Sequence, residues 1–269
     1  MKVILSRKGF DSQYGGQPSP ILPDGTLLSL PIPQADDTVK FTELYYGQKS
    51  YYEIVKELNP KNLQINIATT AHLDPDIRHS CFKNRNKNWK PIFGQSGAAQ
   101  GHLRNQNVST NDLFLFFGWF KQTELINGKL RYKLGSANLH IIYGYLQVDK
   151  IFCFGDNFPD YASAHSHCDP KHKNLSSNCI YVGKENLTFN PNLKGADTFK
   201  FSKKIMLTKN GMTKGKWDLP NFFRELNISY HTQNSFVDNY FKSADKGQEF
   251  VIQSDPRLTE WAKEIFEEH

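Results

Sequence analysis

Asp-Leu-Phe-Leu-Phe-Phe-Gly-Trp-Phe, residues 112–120, is nearly all apolar and aromatic. The stretch shows no alternation of polar and apolar positions, which is typical of a strand buried on both faces of a sheet. Asn127-Gly128 follows it and favours a tight hairpin turn. The sequence therefore predicts a central strand that leads into a hairpin.

Shorter apolar segments on both sides of this strand predict the rest of the sheet. Few helices stand between them: a pattern with spacings of three and four predicts one over residues 42–58, broken near Gly47, and Asp255-Pro256 is a good start for another. Because strands and helices do not alternate regularly, a doubly wound fold is not expected. We predict a single α+β domain over residues 1–269, with a twisted, mostly antiparallel sheet or a partly open barrel and a few covering helices. The other predicted strands are residues 2–5, 63–68, 139–148, 151–154, 178–182, 199–207 and 250–252.

Composition favours an anionic partner and argues against a membrane protein. Lys and Arg total 33 against 27 Asp and Glu, which gives a net charge of +6. The densest basic run, residues 78–90, is either a solvated loop or a phosphate-contacting one. No apolar stretch approaches the ~18 residues of a membrane span, and no signal peptide is recognised. The four cysteines form no C-x-x-C pair, so we expect a cytoplasmic protein with reduced thiols.

Four polar segments could carry chemistry, and the first is the opening loop over residues 6–37. Its Ser6-Arg7-Lys8-Gly9 start and Ser19 combine positive charge with small residues, which suits a phosphate. Asp11 lies nearby as a candidate acid or base. The alternative is a surface loop in which Arg7 and Lys8 pair with Asp11. So many glycines and prolines exclude a helix or a long strand in this loop.

The second segment is His72-Leu-Asp74-Pro-Asp76-Ile-Arg78. An imidazole and two carboxylates beside a strand could act as acid and base or bind a ribose, with Arg78 as a cationic neighbour. The alternative is a turn that the Asp side chains cap.

The third segment, residues 93–103, is rich in small residues that would let a ligand approach. Gln95 and Gln100 carry amides that could hydrogen-bond a base, and His102 is their neighbour. A tight loop that lets the aromatic strand pack is the alternative.

The fourth segment is His165-Ser166-His167-Cys168-Asp169, followed by His172. In a strand, His165 and His167 would point to the same face and could bind a metal together with Asp169 or His172. Histidines that donate to phosphate or carbonyl groups are the alternative. No firm third ligand is defined, so no metal site and no cofactor is assigned.

These segments carry a resemblance to a known family. Residues 6–12, 18–21, 72–76, 93–100, 112–120 and 142–148, and the His-x-His followed by Asn178-x-Ile-Tyr181-Val, resemble the third type of nucleotide-modification-associated domain. The resemblance covers almost the whole chain, with Ser166 where the family favours proline. It implies a setting in DNA modification systems of bacteria, archaea and their viruses.

Our leading hypothesis is an enzyme that modifies a base in DNA or a nucleotide. Arg7 and Lys8 would hold a phosphate, Asp11, Asp74 or Asp76 would act as acid or base, and Gln95, Gln100 and His102 would hold the base. The expected partners are a nucleotide or DNA and other proteins of a modification system. The remaining candidate residues for substrate binding are Ser6, Ser19, Arg78, Trp119, His165, His167, Asn178 and Tyr181.

Two alternatives remain open. One is a reader of modified bases that performs no reaction, with Trp119, Tyr143 and Tyr145 around a flipped base. Residues near these aromatics are similar to small barrels of the PUA and EVE type, an analogy at the level of the fold. The other is a subunit of a restriction or defence complex without catalytic activity.

Overall fold

The computed structural model describes residues 1–245 and 248–267. Four α-helices lie in this part of the chain: α1 (Tyr51–Leu58), α2 (Gly97–Asn105), α3 (Pro170–Lys173) and α4 (Pro256–Phe266). The strands are β1 (Val3–Arg7), β2 (Ser19–Ile21), β3 (Ile32–Pro33), β4 (Tyr45–Tyr46), β5 (Lys49–Ser50), β6 (Ala71–His72), β7 (Ile92–Gln95), β8 (Leu113–Ile126), β9 (Lys129–Tyr132), β10 (Leu139–Cys153), β11 (Cys179–Gly183), β12 (Asn186–Leu187), β13 (Asn190–Lys194), β14 (Ala196–Thr198), β15 (Lys216–Trp217), β16 (Phe236–Val237), β17 (Tyr240–Lys242) and β18 (Glu249–Ile252).

The main sheet has nine strands, six of which lie in the order β18-β1-β8-β10-β11-β7. Strands β2 and β9 pair with the second half of β8, and β14 pairs with β10. Strands β1 and β2 run parallel to β8, whereas the other pairs are antiparallel. The sheet is twisted and does not close into a barrel. This confirms the predicted α+β fold with a mostly antiparallel sheet.

Strand β8 lies at the centre of the sheet, as its sequence predicts. Its residues from Leu113 to Phe117 are fully buried, because β1 and β10 pair with both edges and other elements cover both faces. Phe114 and Phe116 pack against Phe93 of β7, while Phe117 packs against Trp217. Burial of this many aromatic rings is the main source of the sheet's stability.

A second apolar cluster forms around α1. The helix starts with a capping box between Ser50 and Glu53 and buries Ile54 and Val55. The opening loop packs on this cluster through Phe10, Leu28 and Leu30. The loop is therefore held in place by a core of its own.

The helix predicted over residues 42–58 is confirmed only in its second half, as α1, and the strand predicted over residues 63–68 is wrong. Residues 42–50 are not helical, because a hairpin of β4 and β5 turns at Gly47, where φ is +60°. Residues 63–68 form no strand: Ile65 is buried, but Leu63 is 94% exposed and Ile67 is 68% exposed. In both places some of the apolar residues are buried in the α1 cluster, but their spacing does not correspond to a regular helix or strand.

Two other strand predictions need adjustment. Residues 151–154 are not separate from 139–148, since β10 runs through Asp149-Lys150 with a shift of register there. Residues 199–207 form no regular strand, and β14 ends just before them. The hairpin turn at Asn127-Gly128 and the C-terminal helix capped by Asp255 are confirmed.

The cysteines differ from the prediction of reduced thiols. Cys153 and Cys179 lie opposite each other on β10 and β11 and form a disulfide. The expectation is wrong for this pair, because only the strand register brings the two residues together. Cys81 and Cys168 are free. Among the described residues, none of the helices has the length and apolar character needed to cross a membrane.

His140 of β10 leads to a prediction about stability. Its Nδ1 accepts a hydrogen bond from the Trp217 indole at 3.1 Å, and burial, helped by Arg7 and Lys214, lowers its pKa to about 3. In the unfolded chain the pKa is near 6.5, so the unfolded state binds the extra proton between these values. The free energy of unfolding should fall as the pH is lowered from 6.5 towards 3, with a slope of up to about 1.4 kcal/mol per pH unit from this group.

Chemical denaturation of wild type and His140→Gln over this pH range measures that contribution, since all other groups are common to both proteins. The difference in unfolding free energy between wild type and variant should shrink as the pH falls. A difference that stays constant with pH would show that His140 is not held neutral in the fold.

Candidate functional site

A cavity of about 680 Å³ opens where β1 ends and the opening loop begins. Side chains from distant parts of the chain form its wall, because β1, β7, β8 and β10 all belong to the same sheet. Candidates from all four polar segments reach it: Arg7, Lys8, Asp11, His72, Asp74, Gln95, Trp119 and His167. Tyr14, His140, His172 and Lys214 line it as well.

Asp74 is a buried carboxylate beside the cavity that connects three segments. Its Oδ1 accepts a hydrogen bond from the Gly94 backbone N–H at 2.6 Å and lies 3.4 Å from His165 Nε2. Its Oδ2 lies 3.7 Å from Lys8 Nζ. Burial opposes ionisation, but the contact with His165 and the charge of Lys8 outweigh it and hold the pKa of Asp74 well below its usual range. Asp74 therefore remains charged at neutral pH.

Lys8 is held by two carboxylates rather than left free for a ligand. Besides Asp74, it contacts Glu249 Oε1 at 3.2 Å, and its ammonium lies 4.4 Å from the centre of the Phe93 ring. Gln95 also donates to Glu249 Oε1, at 2.7 Å. Glu249 could not be found from the sequence, because a single acid at the start of a short strand gives no signal.

Three imidazoles, those of His72, His167 and His172, come together beside Asp74. Their ring centres lie 5.2, 5.7 and 5.1 Å apart for the pairs 72–167, 72–172 and 167–172. The strand geometry that would align His165 with His167 is not present, since residues Ser166–Cys168 form a 3₁₀ turn. The turn and the short helix α3 nevertheless bring His167 and His172 to the same wall of the cavity.

Gly94 explains how His167 reaches the cavity. A Cβ atom at this position would lie 2.3 Å from the His167 ring, so only glycine lets the ring lie against β7. From the sequence, the small residues of this segment were expected to leave room for a ligand or to form a tight loop. Here the space is filled by an imidazole of the protein itself.

The hydrogen bonds of His167 define its tautomer. Asn178 donates its amide N–H to the His167 carbonyl at 2.8 Å, so its Oδ1 must accept from His167 Nδ1, at 2.6 Å. The Nε2 atom then carries the lone pair. Burial lowers the pKa of His167 to about 3, so the ring is neutral at physiological pH. A neutral imidazole with this lone pair can accept a hydrogen bond or bind a metal.

The other end of the cavity is cationic and aromatic. Arg7 donates to the carbonyls of Ala244 and Asp245 at 2.6 and 3.0 Å, and burial lowers its pKa from the usual value. Lys214 Nζ lies 4.0 Å from the centre of the Trp119 ring. Nothing in the sequence pointed to Lys214, which reaches this wall from a segment almost a hundred residues after β8.

Several candidate residues lie away from the cavity, where they hold the fold together. Asp76 accepts from the Arg85 guanidinium at 2.6 Å and from the Trp89 indole at 2.9 Å. Arg78 donates to the Leu27 carbonyl at 3.0 Å, and Ser19 accepts from the Leu30 N–H at 3.0 Å. Ser6 is buried within β1.

The remaining candidates support the wall or belong to the core. His165 and Asn178 contact Asp74 and His167 respectively, without lining the cavity. Gln100 accepts a hydrogen bond from Tyr181 at 3.0 Å, both residues being buried, and His102 contacts Ser229 at 2.9 Å.

The aromatic cage considered above does not form. Tyr143 and Tyr145 are 3% and 1% exposed, so they cannot stack on a ligand beside Trp119. Trp119 itself is partly buried at the cavity, and its indole N–H donates to Asn138 Oδ1 at 2.8 Å.

Comparisons with known proteins agree with the resemblance seen in the sequence. No curated protein and no solved structure matches the chain. The sequence model of the family described as nucleotide modification associated domain 3 matches residues 2–253. Since this match covers nearly the whole chain, the protein belongs to the nucleotide modification associated domain 3 family.

Proposed function

We propose that this protein is an enzyme that modifies a nucleotide base. One observation carries the proposal: a single cavity joins a cationic and aromatic end to a cluster of imidazoles and a buried carboxylate. Ligand binding and proton transfer need these groups close together. The family name points to nucleotide modification, and the cavity contains the groups that such chemistry requires.

The cationic end would bind the phosphate and the base. Lys214 and Arg7 supply positive charge, whereas Lys8 is already neutralised by Asp74 and Glu249. Trp119 lines the cavity with a partly exposed ring, on which a base can stack beside Lys214. This assignment moves the phosphate-binding role proposed from sequence away from Lys8 and towards Lys214.

The imidazole end would carry out the chemistry. His72 and His167 line the cavity, where their ring nitrogens can hold the substrate or its attacking group by hydrogen bonds. Asp74 is a weak base because its pKa is so low. We therefore assign Asp74 to positioning His165 and Lys8, and Asp11, which also lines the cavity, stays a candidate acid or base.

The setting follows from the substrate. We propose that the protein works in the cytoplasm on DNA or free nucleotides, together with other proteins of a modification or defence system.

The first prediction concerns the product. Cells that express the wild-type chain should contain a modified nucleoside in their DNA or nucleotide pool, and cells that express Asp74→Asn or His72→Gln should lack it. His72→Gln changes a side chain that is 16% exposed, so the fold should tolerate it. Mass spectrometry of digested DNA and of extracted nucleotides measures both pools.

Asp218→Asn is the matched control, since this carboxylate is exposed and far along the chain from the imidazoles. It should give as much product as the wild type. Product levels unaffected by both cavity variants, or no modified nucleoside with the wild type, would contradict an enzyme acting at this site.

The second prediction concerns binding. Trp119→Ala should weaken the binding of a nucleoside monophosphate or a short single-stranded oligonucleotide by about 5- to 150-fold, because stacking contributes ~1–3 kcal/mol per base. For the single-stranded oligonucleotide, log affinity falls as log salt concentration rises. Lys214→Met should make this slope less steep by about 0.7, because one phosphate contact is lost. Fluorescence titration at several salt concentrations measures both effects.

Lys203→Met serves as the control, because this lysine is exposed and does not line the cavity. The nucleotide affinity of this variant and its salt dependence should match those of the wild type. If Lys203→Met and Lys214→Met shift the slope equally, the charge effect is general and the cavity is not the phosphate site.

A further inference from the structure

We infer that His72, His167 and His172 bind one divalent transition-metal ion on the wall of the cavity. This inference goes beyond the proposed function and does not depend on it, since metal binding can be measured without a nucleotide. The three residues come from two distant segments and belong to different local elements, namely β6, the turn Ser166–Cys168 and α3.

The first support is geometric. Ligand atoms of His72, Asp37 and His172 all lie within 4.8 Å of one another, and so do those of His72, Asp74 and His167. His72 belongs to both sets, and the ring centres of the three histidines lie 5.1 to 5.7 Å apart, so the imidazoles cluster in one region. Rotation of the side chains would have to bring one nitrogen of each ring to the ~2.0–2.1 Å bond length of a zinc site.

The second support is the set of hydrogen bonds behind the imidazoles. The Nδ1 atoms of His72, His167 and His172 contact oxygens of Asp37, Asn178 and Asp169 at 2.7, 2.6 and 3.2 Å. Metal-binding histidines typically use one ring nitrogen for such a contact, which fixes the ring and leaves the other nitrogen for the ion. All three rings share this arrangement, which a chance cluster of histidines would not be expected to show.

The third support is the surplus of buried negative charge. The Asp37 side chain is 1% exposed, and its Oδ1 makes no hydrogen bond within the described residues. Asp74 and Asp169 also contact the histidine cluster, whereas Lys8 is shared between Asp74 and Glu249. A buried carboxylate oxygen without a partner is costly, and a divalent cation nearby would compensate for it.

The ligand chemistry selects the class of ion. Imidazole nitrogens suit Zn²⁺, Fe²⁺, Ni²⁺ or Cu²⁺, whereas Mg²⁺ and Ca²⁺ prefer a shell of oxygens. We assign the three histidines as the ligands. Asp74 is held by Gly94, His165 and Lys8 and lies beside the site rather than in it. An ion here would face the cavity, where it could activate water or polarise a substrate oxygen.

Titration of the tag-free full-length protein, after removal of metals by a chelator, tests the site. Co²⁺ is followed by its visible absorption and Zn²⁺ by calorimetry, both without nucleotide. The wild type should bind one ion per chain. His172→Gln and His72→Gln should each weaken binding at least ~100-fold, and Asp169→Asn should weaken it ~10-fold by loosening His172.

His79→Gln is the matched control, because His79 is exposed and packs on Trp89 outside the cavity. It should bind the metal like the wild type. The thermal unfolding of every variant is recorded. If only one of the two histidine variants is folded, its metal affinity alone is compared with that of the wild type.

Absence of stoichiometric binding by the wild type would overturn the inference, as would equal affinity of the wild type and both histidine variants. Either result would leave the nucleotide-binding measurements above unaffected. Conversely, tight metal binding together with no modified nucleoside would refute the proposed function and leave the metal site in place.

Discussion

The cavity depends on the burial of one carboxylate, Asp74, within reach of three different partners. The Gly94 N–H, His165 and Lys8 each contact it, and they belong to β7, to the turn region before α3 and to the end of β1. A buried charge without these partners would cost several kcal/mol, so the segments must stay together for the chain to fold as described. Because the same contacts keep Asp74 ionised, the carboxylate serves as a fixed negative charge rather than as a proton carrier.

The sheet supplies the rigid frame on which these contacts form. Strand β8 is buried on both faces and pairs with β1, so the point where the chain leaves β1 at Lys8 is closely defined. Gly118 of β8 is needed there, since a Cβ atom would lie 2.7 Å from the Lys8 carbonyl. Gly94 has the same role on β7, where it admits His167. The two glycines let backbone and side chains pack closely enough to form a cavity wall.

Much of the fold could be predicted from local patterns, and the failures have physical reasons. The apolar run of β8, the Asn127-Gly128 turn and the cap at Asp255 each carry a local signal that needs no tertiary context. The apolar residues between 42 and 50 also match helical spacing, but their contacts to the α1 cluster and the turn at Gly47 override it. The Cys153–Cys179 pair depends on strand register, which no local pattern reveals.

Some residues of the candidate site could likewise be predicted from local sequence patterns, and others could not. Arg7, His72, Asp74, Gln95 and His167 stand in conspicuous polar segments, and the structure brings them to one cavity. Lys214, Glu249 and Asp37 were not found, because each is a single charged residue in an ordinary context and only the fold places it. Asp76 and Arg78 stood out equally well in the sequence, yet they form buried structural contacts.

The most direct test of the account is a crystal structure of the protein with a bound deoxynucleoside monophosphate. We expect the base against Trp119, the phosphate near Arg7 and Lys214, and the imidazoles of His72 and His167 facing the base or sugar. A nucleotide bound elsewhere on the molecule, with this cavity filled only by solvent, would contradict the account.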